Sequence, residues 1–333
     1  MAYRIQKEKQ LAQVAEETLQ QSVDAELFQF AEYDPDRAEQ TGYSNYSYWK
    51  STFAVFRRNK VAMGLLILIA VILLFTFIQP YLPGQRPATL INNDPVTGMH
   101  MANRKPDAEF WFGTNSIGQD LWSMVWSGTR TSLFIGFSVA CVEAVIGICV
   151  GILWGYLRKL DVVFTEVYNI IDNIPQTIVL ILLSYIMRPG IGTLIFAMCM
   201  TGWAQMARFI RNQVIIIRDR DYNLASRCLG TPLHRIMLRN LLPYLVSIIM
   251  LRMALAIPAA IGNEVFITYI GLGLPVDTPS LGNLINTGRT VMTTHGMEYQ
   301  LLFPTAVLSI ITISFYIIGN AFADAADPKN HVF

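Results

Sequence analysis

Apolar and polar residues fall in long blocks along this chain rather than at the short periods of soluble helices and strands. A bilayer core needs about 20 consecutive apolar residues per helix, and six blocks approach that length. Val61–Pro80 carries no charge and ends at a proline. Thr131–Leu157 holds one charge, Glu143, and Val162–Met187 is polar at its start but apolar after Asn173. Pro189–Ala207 and Tyr299–Ala323 are charge-free, and Pro243–Gly262 is apolar apart from Arg252. The pattern predicts an all-α membrane protein with six transmembrane helices, or five if the polar start of the third block makes it a shorter or re-entrant segment.

Composition agrees. Of the 333 residues 53% are hydrophobic and only 15% charged, where a soluble domain carries charge on about a quarter. Intrinsic disorder is excluded, and a net charge of +1 offers nothing to nucleic acid. The four cysteines stand apart, with no C-x-x-C pair and no His at ligand spacing, so neither a disulfide framework nor a metal site is expected. No secretory signal peptide is expected, because the first apolar run follows sixty polar residues.

Charge distribution sets the orientation. With the N-terminus inside, segments 1–60, 158–160, 208–239 and 324–333 hold 18 of the 25 Lys and Arg, and the outer segments hold six. Basic residues stay on the cytoplasmic side, so both termini are expected there. The resulting division is a cytoplasmic tail over 1–52, a first span within 53–80, an extracellular loop over 81–130 and a transmembrane core over 131–328. Apolar positions at Ile5, Leu11, Val14, Leu19 and Val23 allow an amphipathic helix in the tail, with a loosely ordered tail as the alternative.

One cytoplasmic connection, 208–243, is more than a loop. Asp219 and Asp221 put negative charge where a helix begins. That helix runs through Leu224, Ala225 and Ser226 to Gly230, suited to the left-handed position after a helix end. Thr231-Pro232 offers a cap and a proline to start a second helix, Leu233–Leu241, ending against Leu242-Pro243 where the next span begins. Two short cytoplasmic helices are thus expected over 219–241, with Ala225 and Ser226 leaving a low ridge for another protein. A basic loop that only obeys the charge rule is the plain alternative.

The spacing in this segment is similar to the E-A-A-x3-G-x9-I-x-L-P signature of membrane subunits of bacterial ABC importers. Ala225, Gly230, Leu242 and Pro243 match, while Leu224, Ser226 and Asn240 replace Glu, Ala and Ile. Residues 112–120 (FGTNSIGQD) and 128–133 (GTRTSL) resemble a segment of C-type dipeptide/oligopeptide permeases, usually FGTD-x-x-G-R-D and G-x-R-x-S-L; Asn115 and Gln119 replace the usual Asp and Arg. Asp172-Asn173-Ile174-Pro175, Ala207-Arg208-x-x-Arg211, Gly271-Leu272-Gly273-Leu274 and the ending 319–328 (GNAFADAADP) resemble the same family. The stretch Tyr222–Arg227 is similar to its Gram-positive oligopeptide branch.

The resemblance implies a type I ABC importer transmembrane domain in the cell membrane. It implies a second, unlike permease subunit, two cytosolic ABC ATPases, an extracellular peptide-binding protein and a peptide cargo. The chain has no G-x-x-x-x-G-K-[ST] loop, so it is expected to be no enzyme, with no cofactor of its own and with ATP and Mg on the partner ATPases. The hairpin would ride in a groove on one ATPase, with Gly230 as its turn and Leu242-Pro243 as its entry to the membrane. Dipeptides, nickel chelates, opines or a signalling peptide are alternative cargoes.

Charges within spans are functional candidates, because hydrocarbon penalises them. Arg252 lies nine residues past Pro243, at about 13 Å depth for a 1.5 Å rise. Glu143 and Arg252 either line the pathway or form a mutual or inter-subunit ion pair. Asp172 and Pro175 predict a helix break, Glu264 is expected as a solvated interfacial carboxylate, and His295 as an exposed loop residue. Segment 275–298 is a candidate outer gate or docking surface. An ion-driven transporter would need acidic discontinuous spans and pseudo-symmetric halves, and neither is evident. A membrane enzyme lacks G-x-S-x-G or H-E-x-x-H.

Overall fold

The computed structural model describes residues 48–326. The candidate amphipathic helix at Ile5–Gln29 and the terminal Asp327-Pro328 lie outside the described residues. Among these there is no strand, only three isolated bridges within 91–120.

Two helices share the stretch expected as the first span. Helix α1 (Tyr48–Arg58) is separated from α2 (Lys60–Ile78) by Asn59, whose side chain accepts the Ala62 N–H at 3.1 Å and caps α2. Helix α1 lays Phe56 against Phe322, ring centroids 5.9 Å apart, and α2 turns Ile67, Val71, Leu74 and Phe77 outward as a lipid-facing helix does.

Helix α3 (Leu121–Tyr156) starts ten residues ahead of the expected Thr131. Asp120 explains the early start: its carboxylate accepts the Trp122 and Ser123 N–H groups and so caps the first turn. With 36 residues α3 reaches about 54 Å, well beyond a bilayer core. It is the central post of the fold.

Beyond it, α4 (Asp161–Asp172) and α5 (Gln176–Ile186) form a pair bent by 72° at the expected break around Pro175. Then come α6 (Ile191–Arg218), α7 (Asp221–Cys228), α8 (Leu233–Ile236), α9 (Leu242–Tyr269), α10 (Leu281–Val291) and α11 (Tyr299–Ala326). Helices α3, α5, α6 and α9 enclose Ile135, Leu180, Met198 and Ile267, while α2, α3, α9 and α11 enclose Ile72, Leu133, Ile261 and Ile311.

The closest seam joins α3 to α6. Gly147, Gly151 and Gly155 recur every fourth residue, and a Cβ on them would stand 2.5 Å from Met206 Cγ, 2.6 Å from the Ala207 carbonyl oxygen and 2.7 Å from Val214 Cβ. Small residues at this spacing let two backbones meet where no hydrophobic effect drives them together. Four helices, α2, α3, α9 and α11, are long and apolar enough to cross a membrane, and the bent α4–α5 pair makes a fifth candidate. Helix α6 has 28 residues, but Thr201, Gln205, Arg208 and Arg211 lower its apolarity.

Candidate functional site

The α6–α9 corner carries the predicted hairpin. Helix α7 ends in a Schellman turn: the Gly230 N–H bonds Arg227 O at 2.9 Å and the Thr231 N–H bonds Ser226 O at 3.0 Å. Gly230 sits at φ +73°, the left-handed conformation the spacing predicts. Two details differ from expectation. Pro232 occupies the cap position of α8 with no side-chain cap bond, so Thr231 serves the α7 turn and not the start of α8.

The second difference is larger. The expected end at Leu242-Pro243 is absent, because α8 continues through a π turn at Met237–Leu241 directly into α9. A proline has no N–H to give and crowds the carbonyl one turn back. The π turn widens that turn, with Leu242 N–H reaching Met237 O, and the helix passes Pro243 unbroken. Helix α8 and the long helix α9 are one rod.

Buried polar bonds hold the hairpin. Asn223 is fully buried; it donates to Ile217 O at 3.0 Å and accepts from Asn240 Nδ2 at 3.0 Å. Asn240 also reaches Ser226 Oγ at 3.4 Å, so two of the residues that depart from the importer signature meet each other. Ser226 is therefore turned inward, while Leu224 and Ala225 face out beside exposed Tyr222 and Leu229. Asp219 lies between Arg158 at 3.1 Å and Arg218 at 3.2 Å. Partial burial opposes its ionisation, but the Arg218 and Arg158 guanidiniums outweigh that and hold its carboxyl below the usual range. Arg211, from the recurrent Arg208-x-x-Arg211 pair, grips Asp161 at the start of α4 through two bonds of 2.8 and 2.9 Å.

The two intramembrane charges come together in one place. A cavity of about 180 Å³ opens between α3, α6 and α9, with Glu143 and Arg252 on its walls and Gln176, Gln205 and Asn263 beside them. Glu143 lies over Gly202, where any Cβ would collide with its carboxylate. Arg252 stacks its guanidinium 4.0 Å from the Phe209 ring centroid. Among the described residues no ion pair joins the two.

Glu264 overturns its expectation. It is fully buried, not solvated, because the turn after α9 folds α10 back over it. Ser132 Oγ donates to it at 3.0 Å and Thr268 Oγ1 at 3.3 Å, with the Ser280 hydroxyl and Gly282 amide facing it. Ser132 Oγ in turn accepts the Leu281 N–H at 3.2 Å. One carboxylate thus ties α3, α9 and the first turn of α10. His295 is exposed as expected, and among the described residues no three His, Cys, Asp or Glu cluster as metal ligands would.

The loop ahead of α3 is folded. Asn115 Nδ2 donates to Gln119 Oε1 at 2.8 Å, joining the two positions where the family pattern has Asp and Arg. The Tyr299 hydroxyl, at the start of α11, lies 2.8 Å from Thr114 O and 3.0 Å from Arg104 O.

Residues 147–332 match the model of the binding-protein-dependent transport system inner membrane component, and 47–98 match the N-terminal domain of oligopeptide transport permease C. The chain belongs to this permease family. The permease is 39% identical over 312 residues to the oligopeptide transport system permease protein AmiD of Streptococcus pneumoniae, covering 93% of this chain and 99% of that one. It is 32% identical over 310 residues to OppC of Bacillus subtilis, again 93% and 99% of the two chains, and 34% identical over 285 residues to the dipeptide permease DppC of the same organism, 85% and 86%. A solved chain of the inward-facing MetNI methionine ABC transporter aligns with a TM-score of 0.48 and 20% identity, over 60% of this permease and 96% of that chain. The permease is a multi-pass membrane protein.

Proposed function

We propose that the permease is one of two unlike membrane subunits of an ATP-driven importer that moves oligopeptides into the cell by alternating access. The observation that carries this reading is the hairpin. A small exposed helix, braced by buried Asn223 and turned at Gly230, is continuous with α9 and adjoins the end of α6. Force applied to α7 therefore moves two long helices, as conversion of ATP closure into a swing of spans requires.

In this reading Leu224 and Ala225 form the docking ridge for one of two cytosolic ABC ATPases, which bind ATP and Mg²⁺. A peptide-binding protein docks outside and delivers the cargo. The type I arrangement has six spans, with α2, α3, the bent α4–α5 pair, α6, α9 and α11 crossing in turn. Both termini and the hairpin then lie in the cytoplasm, in keeping with the distribution of Lys and Arg.

Reconstitution of the whole complex in liposomes tests the proposal. ATP-dependent uptake of labelled peptide without any ion gradient is expected. Uptake that needs a proton or sodium gradient and ignores ATP would place the chain among secondary transporters instead.

A further inference from the structure

The hairpin explains how the permease is driven but leaves the cavity between α3, α6 and α9 unused. Its walls present a carboxylate, a guanidinium and three carboxamides. A cavity of about 180 Å³ holds on the order of a dozen waters, enough to keep both charges hydrated. Residues serving only to pack helices would pair there, since an unpaired charge in a span is costly, yet Glu143 and Arg252 remain apart.

Each is separately held. Gly202, in mid-helix, keeps the room that Glu143 fills, although alanine would favour the helix by about 1 kcal/mol. Arg252 has one face on Phe209, which leaves the edge of its planar fork free to donate to a carboxylate. A ligand that satisfies all five polar groups bears an ammonium at one end, a carboxylate at the other and amides between.

We propose that this cavity reads the free main-chain ends of a short peptide in transit. Glu143 receives the α-ammonium, Arg252 the terminal carboxylate, and Gln176, Gln205 and Asn263 the amides. The inference rests on the importer reading and adds to it the residues that recognise cargo within the membrane.

The test uses the complete complex in liposomes and a tripeptide offered free, N-acetylated or C-amidated, each preloaded on the binding protein with its affinity for that protein measured separately. Single-turnover uptake by the unaltered complex should be about tenfold faster for the free peptide than for either capped form, a charge-assisted bond lost in each case. Glu143→Gln should abolish the preference against the acetylated peptide and leave the amide preference intact; Arg252→Gln should do the converse. Gly202→Ala, which displaces the Glu143 carboxylate, should weaken the same preference as Glu143→Gln, and Glu143→Asp and Arg252→Lys serve if a neutral variant does not assemble. Equal slowing of free and capped peptides by either variant, or preferences left unchanged, overturns the proposal. ATP-driven uptake of no peptide by the unaltered complex would instead remove the importer reading itself.

Discussion

The α3–α6 seam allows one substitution to be compared with itself at two sites. At Gly151 an alanine Cβ would stand 2.6 Å from the Ala207 carbonyl oxygen and 2.7 Å from Ile210 Cβ, whereas at Gly64 nothing lies within 4 Å. Both changes add one methyl group to a helix, and both gain about 1 kcal/mol of helix propensity. At Gly151 the obstructing atom is backbone, so relief requires α3 and α6 to part by roughly 1 Å, and overpacking of this kind costs about 1–3 kcal/mol. Gly151→Ala should therefore be destabilising by up to about 2 kcal/mol, and Gly64→Ala neutral or stabilising by up to about 1 kcal/mol. Thermal unfolding of the purified complex in nanodiscs, followed by tryptophan fluorescence, should show midpoints displaced in opposite directions. If Gly151→Ala raises the midpoint as much as Gly64→Ala, the helices are not locked by glycine packing and the description of α3 as a fixed post fails.

Gly230→Val forces a β-branched residue into the left-handed region, at a cost of about 1–2 kcal/mol without any clash; the complex should assemble and hydrolyse ATP while uptake falls, and normal uptake would contradict the lever argument. Glu264→Ala should cost about 3 kcal/mol and expose 270–298 to protease, because Ser132 and the start of α10 lose their shared partner; Glu264→Gln, which keeps the shape, should cost about 1 kcal/mol. For Asp219 the sign follows from its depressed folded-state pKa: it stabilises the corner above the unfolded value of about 4 and loses that contribution as pH falls through the lower folded value. Hydrogen exchange over 219–230 should thus rise on acidification below about pH 4 in the unaltered protein, while Asp219→Asn should already be raised at pH 7 and show little further change.

What could be read along the chain was local. Gly230 and Pro175 fix backbone geometry by their own covalent structure, so the turn of the hairpin and the bend between α4 and α5 followed from their positions. Glu143 and Arg252 stood out because hydrocarbon makes any charge conspicuous. Asn223 did not, since an asparagine in a basic segment signals nothing until Asn240 is known to approach from seventeen residues away. Glu264 was misplaced because its burial depends on α10, a helix too short and polar to announce itself as a lid over a span. The passage of α9 beyond Pro243 was hidden for another reason: a proline ordinarily ends a helix, and the π turn that accommodates it has no recognised composition. The glycine seam at 147, 151 and 155 went unread, because spacing alone does not say which helix fills it.

The bond between Asn115 and Gln119 bears on how this loop responds to acid. The family pattern would set a carboxylate against a guanidinium here, a largely buried attraction that acid neutralises. Two carboxamides neither titrate nor gather counterions. The clasp ahead of α3 should therefore hold its shape through swings of acidity.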